Sequence, residues 1–244
     1  MLLEQAGRNL SASPLQSTVL VAATVIGELG NKQQKEQLLS AIAAGETLAS
    51  LALQERAHHA PLNCAATAVR DGADFVIRGT KVLVQDATAA QIFIVVARTG
   101  GKPGDEQGLS AFLIDAKTQG LRVEPRSMVD SRSAGALVLE SVRVSATDLL
   151  GGEGKAWPGL SRALDIANIG LAAELLGLSS AAFERTVSYL KERKQFGRVI
   201  GSFQGLQHRA AELFAELELA RSIVLQALHA IDDGAQDLSL LASA

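Results

Sequence analysis

A single cysteine, Cys64, stands in a chain of 244 residues, which excludes an internal disulfide framework and favours a reducing compartment. The formal net charge is only −3, so the chain lacks the broad basic field that nucleic acids select. Polar or charged residues recur throughout, and we expect no apolar run of membrane-spanning length. The opening MLLEQAGRNL has no basic segment followed by an apolar stretch, as a secretory signal would. These absences predict a cytoplasmic protein with no membrane span and no nucleic-acid partner.

The residues that are present suit a globular fold, since 48% are hydrophobic and 20% are charged. Residues 1–47 carry apolar side chains at helical spacing, which predicts two short helices and part of an N-terminal helical domain. The apolar positions are Val19, Ala22, Ile26, Leu29, Leu38, Leu39 and Ile42. Gly45 is expected to end the second helix.

Residues 48–150 change to short β-branched or aromatic runs separated by Gly, Asp, Pro and Lys clusters. The runs are 75–77, 82–84, 92–96, 112–114 and 137–144. They follow one another closely without helices between them. This spacing predicts a middle β domain built as an antiparallel barrel or sandwich.

Residues 151–244 return to helical patterning and predict part of a C-terminal helical domain. One apolar face is formed by Leu160, Leu164, Ala167, Leu171, Leu175, Leu178, Ala182 and Leu190. A second face runs from Phe203 to Ile231, and a short glycine-containing link should make the two long helices antiparallel. The predicted fold class is therefore α+β. Neither end reads as a domain boundary, so we expect a longer protein or a partner that covers the apolar stripes.

The stretch KERKQFGRVIGSFQGLQH, residues 191–208, interrupts the two helical patterns with cations, an aromatic and glycines. Arg193 offers a permanent cation and a planar donor fork that suits a diphosphate. Gly197 permits close backbone approach to a ligand, and Gln204 can both donate to and accept from an adenine edge. From the residues alone, a capped helix end is favoured, because cations complement a C-terminal dipole and glycine is a common cap.

The order of helices, β domain and long helices, with this stretch in the last part, resembles the acyl-CoA dehydrogenase family over nearly the whole chain. The matching residues here are Glu192, Arg193, Phe196, Gly197, Ile200, Phe203, Gln204 and His208. Further matches are GELGNKQQKEQLL at 27–39, GETLASLALQE at 45–55, FVIRGTK at 75–81 and FLIDAKTQGL at 112–121. The order and spacing of these segments together carry the resemblance, and it implies the family fold.

The resemblance implies FAD as the cofactor. It places Arg193 and its neighbours against the adenosine diphosphate half of an adjacent subunit's FAD. The flavin-binding residues that it implies are Leu53, Gln54, Leu83, Val84, Gln85, Arg193, Phe196, Phe203 and Gln204. The family's glycine-rich segment that ends in Ser-Asp is replaced here by RAHHAPLN, residues 56–63. This departure resembles the divergent small-subunit branch of the pimeloyl-CoA dehydrogenase type.

The implied reaction is α,β-dehydrogenation of an acyl-CoA thioester, in which a carboxylate removes the α-proton and a hydride leaves for the flavin. One family position for this base corresponds to Ala167, and the other lies beyond Ala244. We therefore identify no catalytic residue in this chain. Glu174 is interpreted as a surface or subunit-contact carboxylate. His58 and His59 fall in an expected loop without metal-ligand spacing, so no metal site is predicted.

The expected partners are an acyl-CoA substrate and either identical subunits, in a homodimer or tetramer, or a second acyl-CoA dehydrogenase subunit. Two alternatives remain open. The chain can be a non-catalytic structural subunit that completes a partner's FAD site, which the missing base favours. It can also be a relative with different chemistry, such as an acyl-CoA oxidase or a flavin monooxygenase.

Overall fold

A computed structural model describes residues 2–130, 132–235 and 237–243. The helices are α1 (Leu2–Arg8), a π-helix (Leu15–Ala22), α2 (Ala23–Leu29), α3 (Lys32–Ala43), α4 (Trp157–Glu192), α5 (Gln204–Asp232) and α6 (Ser239–Ser243). The strands are β1 (Ala49–Ala52), β2 (Thr67–Asp71), β3 (Asp74–Gln85), β4 (Ile92–Arg98), β5 (Leu109–Asp115), β6 (Leu121–Arg126), β7 (Ala134–Ser145), β8 (Leu149–Leu150), β9 (Lys194–Gln195) and β10 (Arg198–Val199).

The chain divides into two compact units. The sheet unit comprises residues 14–164, and the helical unit comprises the residues up to 13 together with those from 165 onward. The α+β class is confirmed, because one sheet is followed by long helices. The three-domain division at residues 47 and 150 stays a prediction.

The sheet of the sheet unit is open, with strand order β6-β7-β3-β2-β4-β5-β8 and with β1 alongside β4. The predicted barrel is wrong, because no ladder among the described residues joins β6 to β8. The sheet is also mixed rather than purely antiparallel, since β1 and β2 both run parallel to β4. Between β1 and β4 the chain forms the antiparallel β2–β3 hairpin. It then enters β4 in the same direction as β1.

The core of the sheet unit explains which strands the sequence revealed. Phe75, Phe93 and Phe112 are fully buried, and they lie on β3, β4 and β5. The separate runs 75–77 and 82–84 belong to one long strand, β3. By contrast, β6 alternates apolar and charged residues and carries Pro125, which an edge strand tolerates because its outer side needs no hydrogen-bond donor. β6 therefore lacks the continuous apolar run by which the other strands were predicted.

Helices α2 and α3 cover part of this core through Val25, Ile26 and Ile42. Asn31 caps α3 by accepting from the Gln34 amide, while the Gln34 side chain accepts from the Asn31 amide. Gly45 follows α3 at φ +74, which confirms its predicted place at the end of this helix.

In the helical unit, α4 and α5 pack antiparallel, as expected. Ala173 of α4 clusters with Val224 of α5, and further along α4 the ring centre of Phe183 lies 6.2 Å from that of Phe214. Later residues of α4 therefore contact earlier residues of α5. The apolar face predicted on α4 is only partly correct. Leu175 is half exposed, whereas Leu176 is buried, because α5 contacts the stripe one position further along.

Helix α4 corrects one further expectation. Among the described residues, it is the one helix that is long and apolar enough to cross a membrane by length and composition alone. The expectation that no such run exists fails for this helix, because an 18-residue window of it carries at most two charged residues, and half of that window is buried inside the protein. Core helices of folded domains meet the same two criteria, so the test is weak evidence for a span.

Candidate functional site

The first group of predicted site residues meets at a bulge in the sheet unit. The β3–β7 ladder shifts register between Lys81 and Val84, and Leu83 in the bulge has a left-handed backbone at φ 53. The Val82 amide donates to the carbonyl of Gln54 across 2.8 Å. The structure thus brings residues 53 and 54, which follow β1, next to the bulge residues 82–85.

The exposure of these side chains differs from one to the next. Leu53 and Val84 are buried and serve the core, whereas Leu83 is 42% exposed and Gln85 is exposed. The Gln85 carbonyl accepts from the Ser50 hydroxyl at 2.6 Å, which fixes the end of β3 to β1. The exposed side chains of Leu83 and Gln85 together form a small surface with both apolar and polar character.

The amide of Gln54 is occupied by its own loop. Its Nε2 lies 2.7 Å from Nδ1 of His59, and its Oε1 accepts from the Ala60 amide at 3.3 Å. His58 and His59 are both exposed, and the described residues contain no group of three or more potential metal ligands. The Gln54 side chain therefore orders the loop 55–60, and one of the two N–H groups of its Nε2 is directed to His59.

A buried charge cluster lies behind the bulge, and the sequence reasoning missed it. Lys81 is fully buried, and its Nζ donates to Glu55 Oε1 at 2.6 Å, to the Leu53 carbonyl at 3.1 Å and to Cys64 Sγ at 3.4 Å. Glu55 also accepts from the Ala65 amide. A signal was available, since a lysine inside an apolar strand needs a buried partner.

The cluster shifts two pKa values. Burial raises the pKa of the Glu55 carboxyl, but the ammonium of Lys81 and the hydrogen bonds that Glu55 accepts outweigh it, so this pKa lies below its usual value. Burial raises the pKa of the Cys64 thiol, which Lys81 only partly offsets. A buried thiol with a raised pKa is a poor nucleophile, so Cys64 acts here as a packing residue.

The second group of predicted site residues forms a corner of the helical unit, residues 193–204. After α4, strands β9 and β10 pair antiparallel, and Phe196 and Gly197 make the turn at φ 55 and φ 78. Two positive φ values in a two-residue hairpin turn are typical of a type I′ turn. Gly197 adopts this conformation easily, whereas for Phe196 it carries a steric cost.

The side chains of the corner point outward. Phe196 is 90% exposed and contacts Phe203 edge-on at 6.2 Å, while the guanidinium of Arg198 lies 4.1 Å from the Phe203 ring centre. Arg193 and Gln204 are exposed. Helix α4 ends at Glu192, and the Arg193 amide donates to the Tyr189 carbonyl, whereas Gly197 lies in the turn between β9 and β10, so the predicted glycine cap is wrong. Arg198 is a further cation of the corner to which the sequence reasoning gave no role.

The position matched to the family base holds no acid. Ala167 lies in α4 with 8% of its surface exposed, and an alanine can accept no proton. Glu174 is 6% exposed, and its backbone contacts Gly7 of α1. The surface interpretation of Glu174 therefore does not describe this chain, in which α1 covers that face of α4.

Comparison with known proteins matches residues 50–142 to the family model described as acyl-CoA dehydrogenase, middle domain. Residues 140–244 match the model described as acyl-CoA dehydrogenase, C-terminal domain. The short-chain specific acyl-CoA dehydrogenase of Clostridium acetobutylicum is 33% identical over 219 residues, covering 88% of this chain and 58% of the relative.

Solved structures give the same result. Butyryl-CoA dehydrogenase from Megasphaera elsdenii superposes with a TM-score of 0.88 and 28% identity, covering 99% of this chain and 63% of that one. A structure described as PigA with FAD and proline superposes with a TM-score of 0.89 and 27% identity, covering 99% and 64%. The chain therefore spans 58% to 64% of the length of these proteins.

Proposed function

We propose that this chain, which belongs to the acyl-CoA dehydrogenase family, is part of an FAD-dependent flavoprotein that oxidises the Cα–Cβ bond of an acyl-CoA thioester. The relatives named for this activity, and the flavin named with one solved neighbour, support the cofactor and the reaction class. FAD, when bound, accepts the hydride that leaves the β-carbon. The cytoplasm is the proposed location.

The observation that carries the proposal is the exposed corner at residues 193–204. Phe196 exposes 90% of its surface and holds a strained backbone, and both features are typical of a binding surface rather than of a helix cap. Arg193, which precedes β9, and Arg198 on β10 add two exposed cations to the corner. Cations beside exposed aromatic rings suit a nucleotide, which combines a diphosphate with a flat base.

The bulge in the sheet unit suits the flavin end of an FAD molecule. Leu83 offers an apolar contact to a flat ring system, and Gln85 is exposed two residues further along the strand. The side-chain amide of Gln54 is partly engaged by His59 and Ala60, so we assign the main contribution of Gln54 to its backbone. In this proposal residues 53–54 shape the flavin site through main-chain position.

A second candidate function is favoured by Ala167. Because the family's helix position carries no carboxylate, the chain can serve as a structural subunit that completes the FAD site of a partner. The corner then binds the cofactor of the neighbouring subunit, in a homodimer or tetramer or in a pair with a second acyl-CoA dehydrogenase subunit. If the chain is itself a dehydrogenase, the base comes from a residue other than Ala167.

Flavin absorbance of the purified protein tests the first function, with bleaching on addition of butyryl-CoA as the expected result. Bleaching that occurs only when a second subunit is co-expressed supports the structural role. Peroxide formation identifies an oxidase. Absence of bleaching and of peroxide with acyl-CoA thioesters of several chain lengths, alone and with a partner, would contradict the proposed chemistry.

Arg193→Ala tests the corner directly. The loss of a charge-assisted contact to a diphosphate should weaken FAD binding about 10- to 100-fold, measured by flavin fluorescence titration. Arg185→Ala, which removes an exposed arginine from α4 outside the corner, is the matched control and should leave the affinity unchanged. Equal affinities in the two variants would remove the corner from the FAD site.

A further inference from the structure

Lys81 is the one fully buried lysine in the described part of the chain, and the proposed flavin contacts do not include it. It lies on β3 immediately before the bulge, opposite Leu137 of β7. A buried ammonium is destabilising unless every donor is satisfied, and an apolar side chain of similar length would fill the same space without that cost. The position therefore calls for a reason beyond packing.

The atoms around Lys81 Nζ satisfy the hydrogen-bonding needs of an ammonium group. Its three donors meet three acceptors, which are Glu55 Oε1, the Leu53 carbonyl and Cys64 Sγ, at 2.6, 3.1 and 3.4 Å. Glu55 in turn accepts from the Ala65 and Ala66 amides at 2.7 and 3.0 Å. One cation thus joins the segment after β1 to the segment before β2.

The contacts of Lys81 bracket Gln54 in the chain. Its Nζ holds the carbonyl of the preceding residue, Leu53, and the carboxylate of the following residue, Glu55. The Gln54 carbonyl itself accepts from the amide of Val82, the residue after Lys81. Three consecutive residues are therefore held against the start of the bulge by Lys81 and its neighbour.

We infer that Lys81 is a positioning residue, which holds residues 53–55 against the bulge residues 82–85 in the arrangement that receives the flavin ring. The inference rests on the proposed function, since it takes this surface as part of the FAD site. In this role Lys81 makes no direct contact with the cofactor and acts through the Leu53 carbonyl and the Glu55 carboxylate. Its distinctive property is that it binds both sides of Gln54 with one charge.

Lys81→Met in the full chain tests the role, because methionine keeps the length and apolar stem but removes every bond of Nζ. We expect FAD affinity to fall at least about tenfold, with an altered visible spectrum of the remaining bound flavin. Amide hydrogen exchange at Val82, Ala65 and Ala66 should become faster. Glu55→Gln keeps an acceptor for Nζ but removes its charge, and it should give a smaller loss of affinity.

Leu137→Ala is the matched control. Leu137 is fully buried directly across the ladder from Lys81, so its truncation destabilises the same strand pair but removes none of the hydrogen bonds of Lys81 Nζ. We expect a fall in melting temperature comparable to that of Lys81→Met, with FAD affinity within about threefold of the parent protein. If Lys81→Met does not fold, Glu55→Gln carries the comparison.

The outcomes separate the two proposals. Unchanged FAD affinity and spectrum in Lys81→Met and in Glu55→Gln, with a parent protein that binds FAD, overturn the positioning role and leave the proposed function standing. Affinity losses that merely track melting temperature in all variants, Leu137→Ala included, also overturn the positioning role. A parent protein that binds no FAD at any concentration overturns both proposals.

Discussion

Replacement of Gly177 by alanine tests the close contact between α1 and α4 in the helical unit. A Cβ built at Gly177 would lie 1.9 Å from the backbone oxygen of Glu4, and one built at Gly7 would lie 1.8 Å from that of Glu174. Ordinary contact begins near 3.4 Å, so α1 must move away by about 1.5 Å. Backbone atoms on both sides leave no flexible side chain to absorb this shift.

The expected magnitude follows from three contributions. Overpacking of this kind costs roughly 1–3 kcal/mol, and alanine gains about 1 kcal/mol over glycine in a helix interior. Movement of α1 also weakens the ion pair between Glu4 and Arg221, 2.6 Å apart and partly buried, which is worth about 1 kcal/mol. We therefore expect Gly177→Ala to lower the free energy of unfolding by about 1–3 kcal/mol.

Urea denaturation followed by circular dichroism measures this change, and hydrogen exchange in residues 2–8 shows whether the loss is centred on α1. Gly205→Ala is the control in the same unit, because α5 leaves nothing within 4 Å of the added carbon. It should be neutral or should stabilise by up to about 1 kcal/mol. If Gly177→Ala proves as stable as Gly205→Ala, the helices do not approach as described.

Three further outcomes are expected. Folding lowers the pKa of Glu55, so the stability that its carboxylate contributes is present above the ordinary pKa of 4.5 and is lost as the pH falls through the folded pKa. In Glu55→Gln, the unfolding free energy should depend less on pH below 4.5 than it does in the parent protein. Arg98→Met should destabilise the sheet unit by roughly 2–5 kcal/mol in urea denaturation, since it removes guanidinium bonds to four backbone carbonyls, and an unchanged midpoint would contradict this. Phe112→Ala should cost about 3–5 kcal/mol in the same assay, because its ring is fully buried against Phe75 at 5.0 Å.

Local patterns account for the elements that the sequence revealed. Runs such as 92–96 became strand β4 because a strand buried on both faces is continuously apolar. The long helical stripes became α4 and α5, and Gly45 ended α3, because spacing and caps act over a few residues. The corner at residues 193–204 was predicted for the same reason, because the sequence alone shows where one helical pattern stops and the next begins.

The sequence by itself determined the α+β class, the long helices, the family resemblance and the place of the exposed corner. Only the tertiary structure decided that the sheet is open, that α1 packs against Gly177, and that Gln54 turns its amide to His59. It also decided that Lys81 joins Leu53, Glu55 and Cys64, which lie 28, 26 and 17 residues away in the chain. The physical reason is range: periodicity and capping depend on near neighbours, whereas strand order and buried charge pairing depend on residues brought together only by folding.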